Sequence, residues 1–102
     1  MQLSPGSRLR SAVDSTEVIV VRAPDADVEV GCGGHPMVPV GQDPPPGLSL
    51  DPEWSAGTPI GKRYADDGAG LELLCTKAGQ GSLSLDGKPL ELKAAKPLPA
   101  SD

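Results

Sequence analysis

Polar and apolar residues alternate along much of the chain, and glycine, proline and aspartate turns break the pattern at short intervals. Residues 16–22 (TEVIVVR) form a β-branched run that predicts a strand buried on both faces. Pro24-Asp25-Ala26 predicts a turn. Over residues 27–32, Val28, Val30 and Cys32 share one face of a strand, and Asp27, Glu29 and Gly31 share the other. This predicts a second, half-buried strand, hairpin-paired with the first. Gly33-Gly34 is a turn, and the extended piece 35–40 carries two prolines that assign it to an edge or to coil. Residues 71–76 (LELLCT) predict a further strand, with a helix the alternative for so short an apolar run. Residues 82–85 and 88–93 alternate on either side of Asp86-Gly87, the strongest hairpin turn in the chain. The fold class expected is mainly β, built from small antiparallel hairpin units.

The rest of the chain frames these runs. Residues 1–15 read as an arm, with Pro5-Gly6 as a breaker, Arg8 and Arg10 solvated, and room for a helical turn over 8–14. Residues 41–60 form a Pro/Gly-rich connector in which Pro44-Pro45-Pro46 favours polyproline II. Leu48, Leu50 and Trp54 are the groups able to anchor it as a strap across the surface. Residues 94–102 are a tail, frayed or docked through Leu98. One domain over 1–102 is therefore expected, with a first β unit at 8–40, the connector at 41–60 and a second β unit at 61–93.

Displacing the chain against itself by 53 residues aligns Gly34 with Gly87, Pro36 with Pro89 and Met37 with Leu90. The same shift superposes Val18, Val20, Val21, Val30 and Cys32 on Leu71, Leu73, Leu74, Leu83 and Leu85. The shared apolar pattern, more than the identities, predicts a duplicated hairpin unit.

Residues 61–90 resemble desulforedoxin and the desulforedoxin-like N-terminal domain of desulfoferrodoxins. The resemblance lies in Gly61, Tyr64, Gly70, Gly79, Gly81, Leu83, Gly87 and the apolar Leu90. The first half resembles the end of that pattern, where Cys32-Gly33-Gly34-His35-Pro36-Met37 looks like the family's Cys-Cys-Gly-x-x-Met closing turn. The resemblance implies a rubredoxin-like β sandwich or barrel that pairs as a dimer and holds one iron on four cysteines. It also places the four ligand positions of the second unit on Asp66, Ala69, Leu85 and Asp86, none of which is cysteine. In the first unit only Cys32 keeps a thiol. A tetrathiolate site cannot be assembled from these residues, so a scaffold that has lost its metal is expected, with no cofactor.

Composition narrows the alternatives. The chain has no Phe, one Trp, one Tyr and two Met against 13 Gly and 12 Pro, so its aliphatic residues must supply the core. Ordering each residue costs about 1.5 kcal/mol, and that small core predicts added buried area from a homo-oligomer or a protein partner. The formal net charge is −5, and residues 25–53 carry Asp25, Asp27, Glu29, Asp43, Asp51 and Glu53 with no Lys or Arg. No basic stripe or stacking platform exists, which argues against nucleic acid and against an anionic membrane. The opening residues lack the apolar region of a secretory signal, so a cytoplasmic location with reduced Cys32 and Cys75 is expected.

Three functions remain open on these grounds. The first is a non-enzymatic accessory or interaction protein, for which Trp54 and Tyr64 are the candidate anchors. The second is a small metal-binding protein using Cys32, His35 and Cys75, a soft-donor set suited to Zn or Cu; the rival reading is two buried thiols and a turn histidine. The third is a small Cys-dependent enzyme, for which the Cys32-x-x-His35 spacing permits a nucleophile and a base.

Overall fold

The computed structural model of the chain describes residues 2–93. The first five strands are β1 (Arg8–Arg10), β2 (Glu17–Arg22), β3 (Val30–Cys32), β4 (His35–Pro36) and β5 (Val38–Pro39). The connector contributes one 3-10 turn at Pro52–Trp54. Five more strands follow: β6 (Arg63–Asp66), β7 (Leu71–Lys77), β8 (Leu83–Leu85), β9 (Lys88–Pro89) and β10 (Glu91–Leu92). The tail at 94–102, including Leu98, lies outside the described residues. No helix among the described residues is long and apolar enough to cross a membrane.

The strands form two antiparallel sheets, one of six in the order β10-β6-β7-β2-β1-β5 and one of four in the order β4-β3-β8-β9. Each order reads the same from either end when the strands of 8–40 are exchanged for those of 61–93. The register carries the same symmetry. At the centre of the four-stranded sheet Gly31 pairs with Ser84, and at the centre of the six-stranded sheet Val20 pairs with Leu73. Both pairs are 53 residues apart. The closing turns match as well: Gly33 and Gly34 have φ of +67° and +88°, and Asp86 and Gly87 have +49° and +82°. Two successive positive φ values define the type I′ turn that suits the twist of a two-residue hairpin. Each turn is tied to the other half, through Gly33 N–H to the Ser82 carbonyl (3.1 Å) and Asp86 N–H to the Glu29 carbonyl (2.8 Å).

The two sheets share one core, made by Leu3, Leu9, Val18, Val20, Val28, Val30, Cys32, Met37, Leu71, Leu73, Leu83, Leu85 and Leu90. These are aliphatic or sulfur-bearing side chains, as a chain without Phe requires. The prolines fall where their missing N–H does no harm: Pro36 and Pro89 in the edge strands of the smaller sheet, and Pro39 in the edge strand β5 of the larger one.

Three expectations need correction. The strand at 16–22 does not form a hairpin with 27–32: β2 pairs with β1 and β7, and β3 pairs with β4 and β8 in the other sheet. The seven residues between them cross from one sheet to the other, which period-two patterning cannot distinguish from a hairpin loop. Nor is β2 buried on both faces, since Val18 and Val20 are buried while Val21 is 36% exposed. Finally, the arm is not loose. Leu3 and Leu9 enter the core, and Arg8–Arg10 is a strand between β2 and β5 rather than a helical turn.

Candidate functional site

Two polar features stand out, one inside the molecule and one on its outer face. The inner one lies under the turn that joins β1 to β2. Ser11 starts it: its N–H donates to the Thr16 carbonyl (2.9 Å), and its hydroxyl accepts from the amides of Val13 (3.1 Å) and Asp14 (3.2 Å). This local bonding, for which serine is well suited, folds the turn inward. The Asp14 carboxylate then accepts from the Thr16 amide (3.2 Å), the Thr16 hydroxyl (3.0 Å) and the amide of Gly81. The Cys32 thiol points at its Oδ1 from 3.8 Å. Burial alone would raise the Asp14 pKa, but the hydrogen bonds from Ser11, Gly81 and Thr16 hold it below the usual aspartate value. Gly81 must be glycine here, because a Cβ would stand 2.7 Å from Cys32 Sγ and 2.9 Å from Gly33 N.

The three candidate metal ligands meet different fates. Cys32 is fully buried in the core and beside Asp14. His35 is half-buried in β4, with Nε2 bonded to the Ser49 carbonyl at 2.9 Å. Cys75 is buried in β7 and donates to the carbonyls of Lys77 (3.2 Å) and Thr58 (3.6 Å). Among the described residues, no three His, Cys, Asp or Glu side chains converge within reach of one metal ion. Both thiols are free.

The Cys32 surroundings also bear on nucleophilic chemistry. Burial pushes its thiol up to about 11; Thr16 hydrogen bonding opposes the shift and the Asp14 charge adds to it. Reactive cysteines need the opposite, an electropositive and partly open setting that lowers the pKa.

The outer feature is a cavity of about 250 Å³ on the face of the four-stranded sheet, lined by Glu29, Gly31, His35, Trp54 and Ser84 among others. It follows from the strand pattern. Val30 and Cys32 point into the core, so Glu29 and Gly31 face outward, and Ser84 opposite Gly31 faces outward with them. Two small residues at the sheet centre leave a hollow, and the connector walls it. The Asp51 amide donates to the Gly33 carbonyl (2.9 Å), and the Trp54 carbonyl accepts from Ser82 N–H (2.7 Å). The Asp51 carboxylate accepts from the Glu53 amide (2.9 Å) and starts the 3-10 turn that carries Trp54. Trp54 thus both pins the strap and lines an open cavity.

Tyr64 lies elsewhere, in β6, half-buried and packed against the core. Burial raises its phenol pKa. The structure does not bring it together with Trp54 at the cavity.

Two residues absent from the sequence-based candidates matter here. Asp14 carries a local signal in the Ser-rich string 11–16, but its partner Gly81 is 67 residues away. Alternation at 82–85 marks Ser84 as an outward position, but its place opposite Gly31 follows only from the pairing of β3 with β8. No family model matches the chain, and no curated protein and no solved structure matches it.

Proposed function

We propose that the chain is a non-enzymatic accessory or interaction protein, built on a doubled desulforedoxin-like scaffold without a metal site. One observation carries the reading: the positions that the resemblance marks as ligands are engaged in folding. Leu85 is 4% exposed in the core. Asp66 Oδ1 accepts from the Ala69 amide at 3.1 Å within its own turn. Asp86 Oδ1 accepts from the Glu29 amide at 2.8 Å and so ties the second half to the first. In the first half the buried thiol of Cys32 faces the Asp14 carboxylate in place of further thiolates.

The doubling is supported by the palindromic strand orders and by the 53-residue spacing at the centre of both sheets. Pairing of β2 with β7 and of β3 with β8 lets each half bury the other within a single chain. The buried area that a small core needs is then found inside the molecule, and the outer face with Trp54 is left for a protein partner.

Metal analysis of protein purified without chelators tests the reading. The expected result is sub-stoichiometric iron, zinc and copper, unchanged in Cys32→Ser. Stoichiometric metal that disappears in Cys32→Ser would overturn it in favour of a metalloprotein.

A further inference from the structure

We propose that the cavity walled by Trp54 is a recognition site for an arginine side chain of a partner protein. The proposal rests on the interaction-module reading and names the partner chemistry of its outer face. A cavity of about 250 Å³ falls below the roughly 300–1,000 Å³ of pockets that take a whole cofactor, and it suits one side chain.

Its lining matches a guanidinium group. Ser84 is 6% exposed and lines the cavity. It sits above Gly31, 2.6 Å from where a Cβ there would be, and opens into the cavity. Facing the cavity, the hydroxyl can accept from a ligand donor. His35 Nε2 lies 2.9 Å from the Ser49 carbonyl, which can only accept, so Nε2 carries a hydrogen. Glu29 supplies a carboxylate, its backbone held in place by Asp86 on both sides, N–H to Oδ1 and carbonyl from N–H. Trp54 supplies an aromatic ring against which a planar cation can pack. Acceptors and a π face, with no cationic lining residue, define a site for a flat donor-only cation.

The surrounding field has the same sign. The connector beside Trp54 carries Asp51 and Glu53, and residues 25–53 contain six acidic and no Lys or Arg side chains. Lys88, next in sequence to the lining Gly87, pairs with Leu85 and so projects from the other face of the sheet than Ser84 does.

The chain's single tryptophan makes the test direct. Acetyl-arginine-amide is titrated into the purified protein, with Trp54 fluorescence as the readout and acetyl-citrulline-amide as the uncharged isostere. Metal content is measured on the same sample. The expected result is a saturable change with the arginine probe, at least about tenfold weaker with citrulline, the loss of a charge-assisted hydrogen bond. Glu29→Gln, an exposed position whose replacement leaves the fold intact, weakens binding by about tenfold, and Ser84→Ala by a smaller factor. The affinity falls as salt is raised. No saturable change, or equal response to citrulline or to acetyl-lysine-amide, overturns the proposal. Stoichiometric metal in that sample would instead sink the metal-free reading, and the titration would still decide the cavity.

Discussion

In the first half of the molecule the turn between β1 and β2 closes inward. Its six residues, 11–16, bring Asp14 against Thr16, Cys32 and the amide of Gly81 in the other half. In the second half the turn between β6 and β7 has four residues, 67–70, and closes on itself, with Asp66 accepting from Ala69. The second half places its buried charge elsewhere, at Glu72, which is 3% exposed and paired with Lys93 (2.6 Å) and Arg63 (3.3 Å). Strand order and closing turns are thus common to both halves, while the polar ties differ. One scaffold accepts a carboxylate hydrogen-bonded across the halves at Asp14 and one ion-paired with Lys93 and Arg63 of its own half at Glu72. The difference predicts unequal sensitivity to substitution.

The largest effect is expected at Asp14. Asp14→Ala strips acceptors from the Thr16 amide and hydroxyl and from the Gly81 amide in a partly buried site, and should cost about 3 kcal/mol in urea unfolding. Glu72→Gln removes the charge that Lys93 and Arg63 surround. Both partners are themselves about half exposed, so solvent screens the pairs and the cost should be about 1.5 kcal/mol. Asp66→Ala, which loses one part-buried local cap, should cost about 1 kcal/mol. The comparison breaks if Asp66→Ala proves as damaging as Asp14→Ala. The smallest effect is expected for Asp86→Asn. Asparagine tolerates the φ of +49° and keeps an oxygen for the Glu29 amide, so stability should stay within about 0.5 kcal/mol.

Acid acts on both halves alike. Hydrogen bonding to Lys93 holds the Glu72 carboxyl below its usual value, and Asp14 is held below its own. A group whose folded pKa is depressed stabilises the fold above its unfolded pKa, and that contribution disappears as the pH falls through the folded pKa. Unfolding free energy should therefore be level from about pH 7 to about pH 5 and decline below about pH 4, near the ordinary carboxylate values. The acid decline should be shallower in Asp14→Ala and in Glu72→Gln, as measured by urea titrations across that range.

Much of the strand content was legible in the sequence, because alternation at 27–32 and 82–85 reports a pleated surface with one buried face; the alternation at 88–93 misled, since that stretch divides into β9 and β10 in different sheets and leaves Leu92 53% exposed. The closing turns were legible for a different reason: Gly33-Gly34 and Asp86-Gly87 are residue pairs that accept two positive φ values. The pairing of β2 with β7 and of β3 with β8 was visible only as a faint repeat at 53 residues, since antiparallel partners distant in the chain leave no local mark. The same limit hid the cavity. Trp54 could be singled out by type, and Glu29 and Gly31 by face, but Ser84 joins them through a ladder spanning the two halves. Cys32, His35 and Cys75 looked alike as donors in the sequence. In the fold each is engaged with a different partner: Asp14, Ser49, and the carbonyls of Thr58 and Lys77.

The most direct test of a scaffold held by carboxylates and aliphatic packing is thermal unfolding of natively purified protein with and without a strong chelator. The predicted result is one midpoint, unchanged by the chelator and lowered by Asp14→Ala. A midpoint that drops when the chelator is added, with release of iron or zinc in step, would contradict the account.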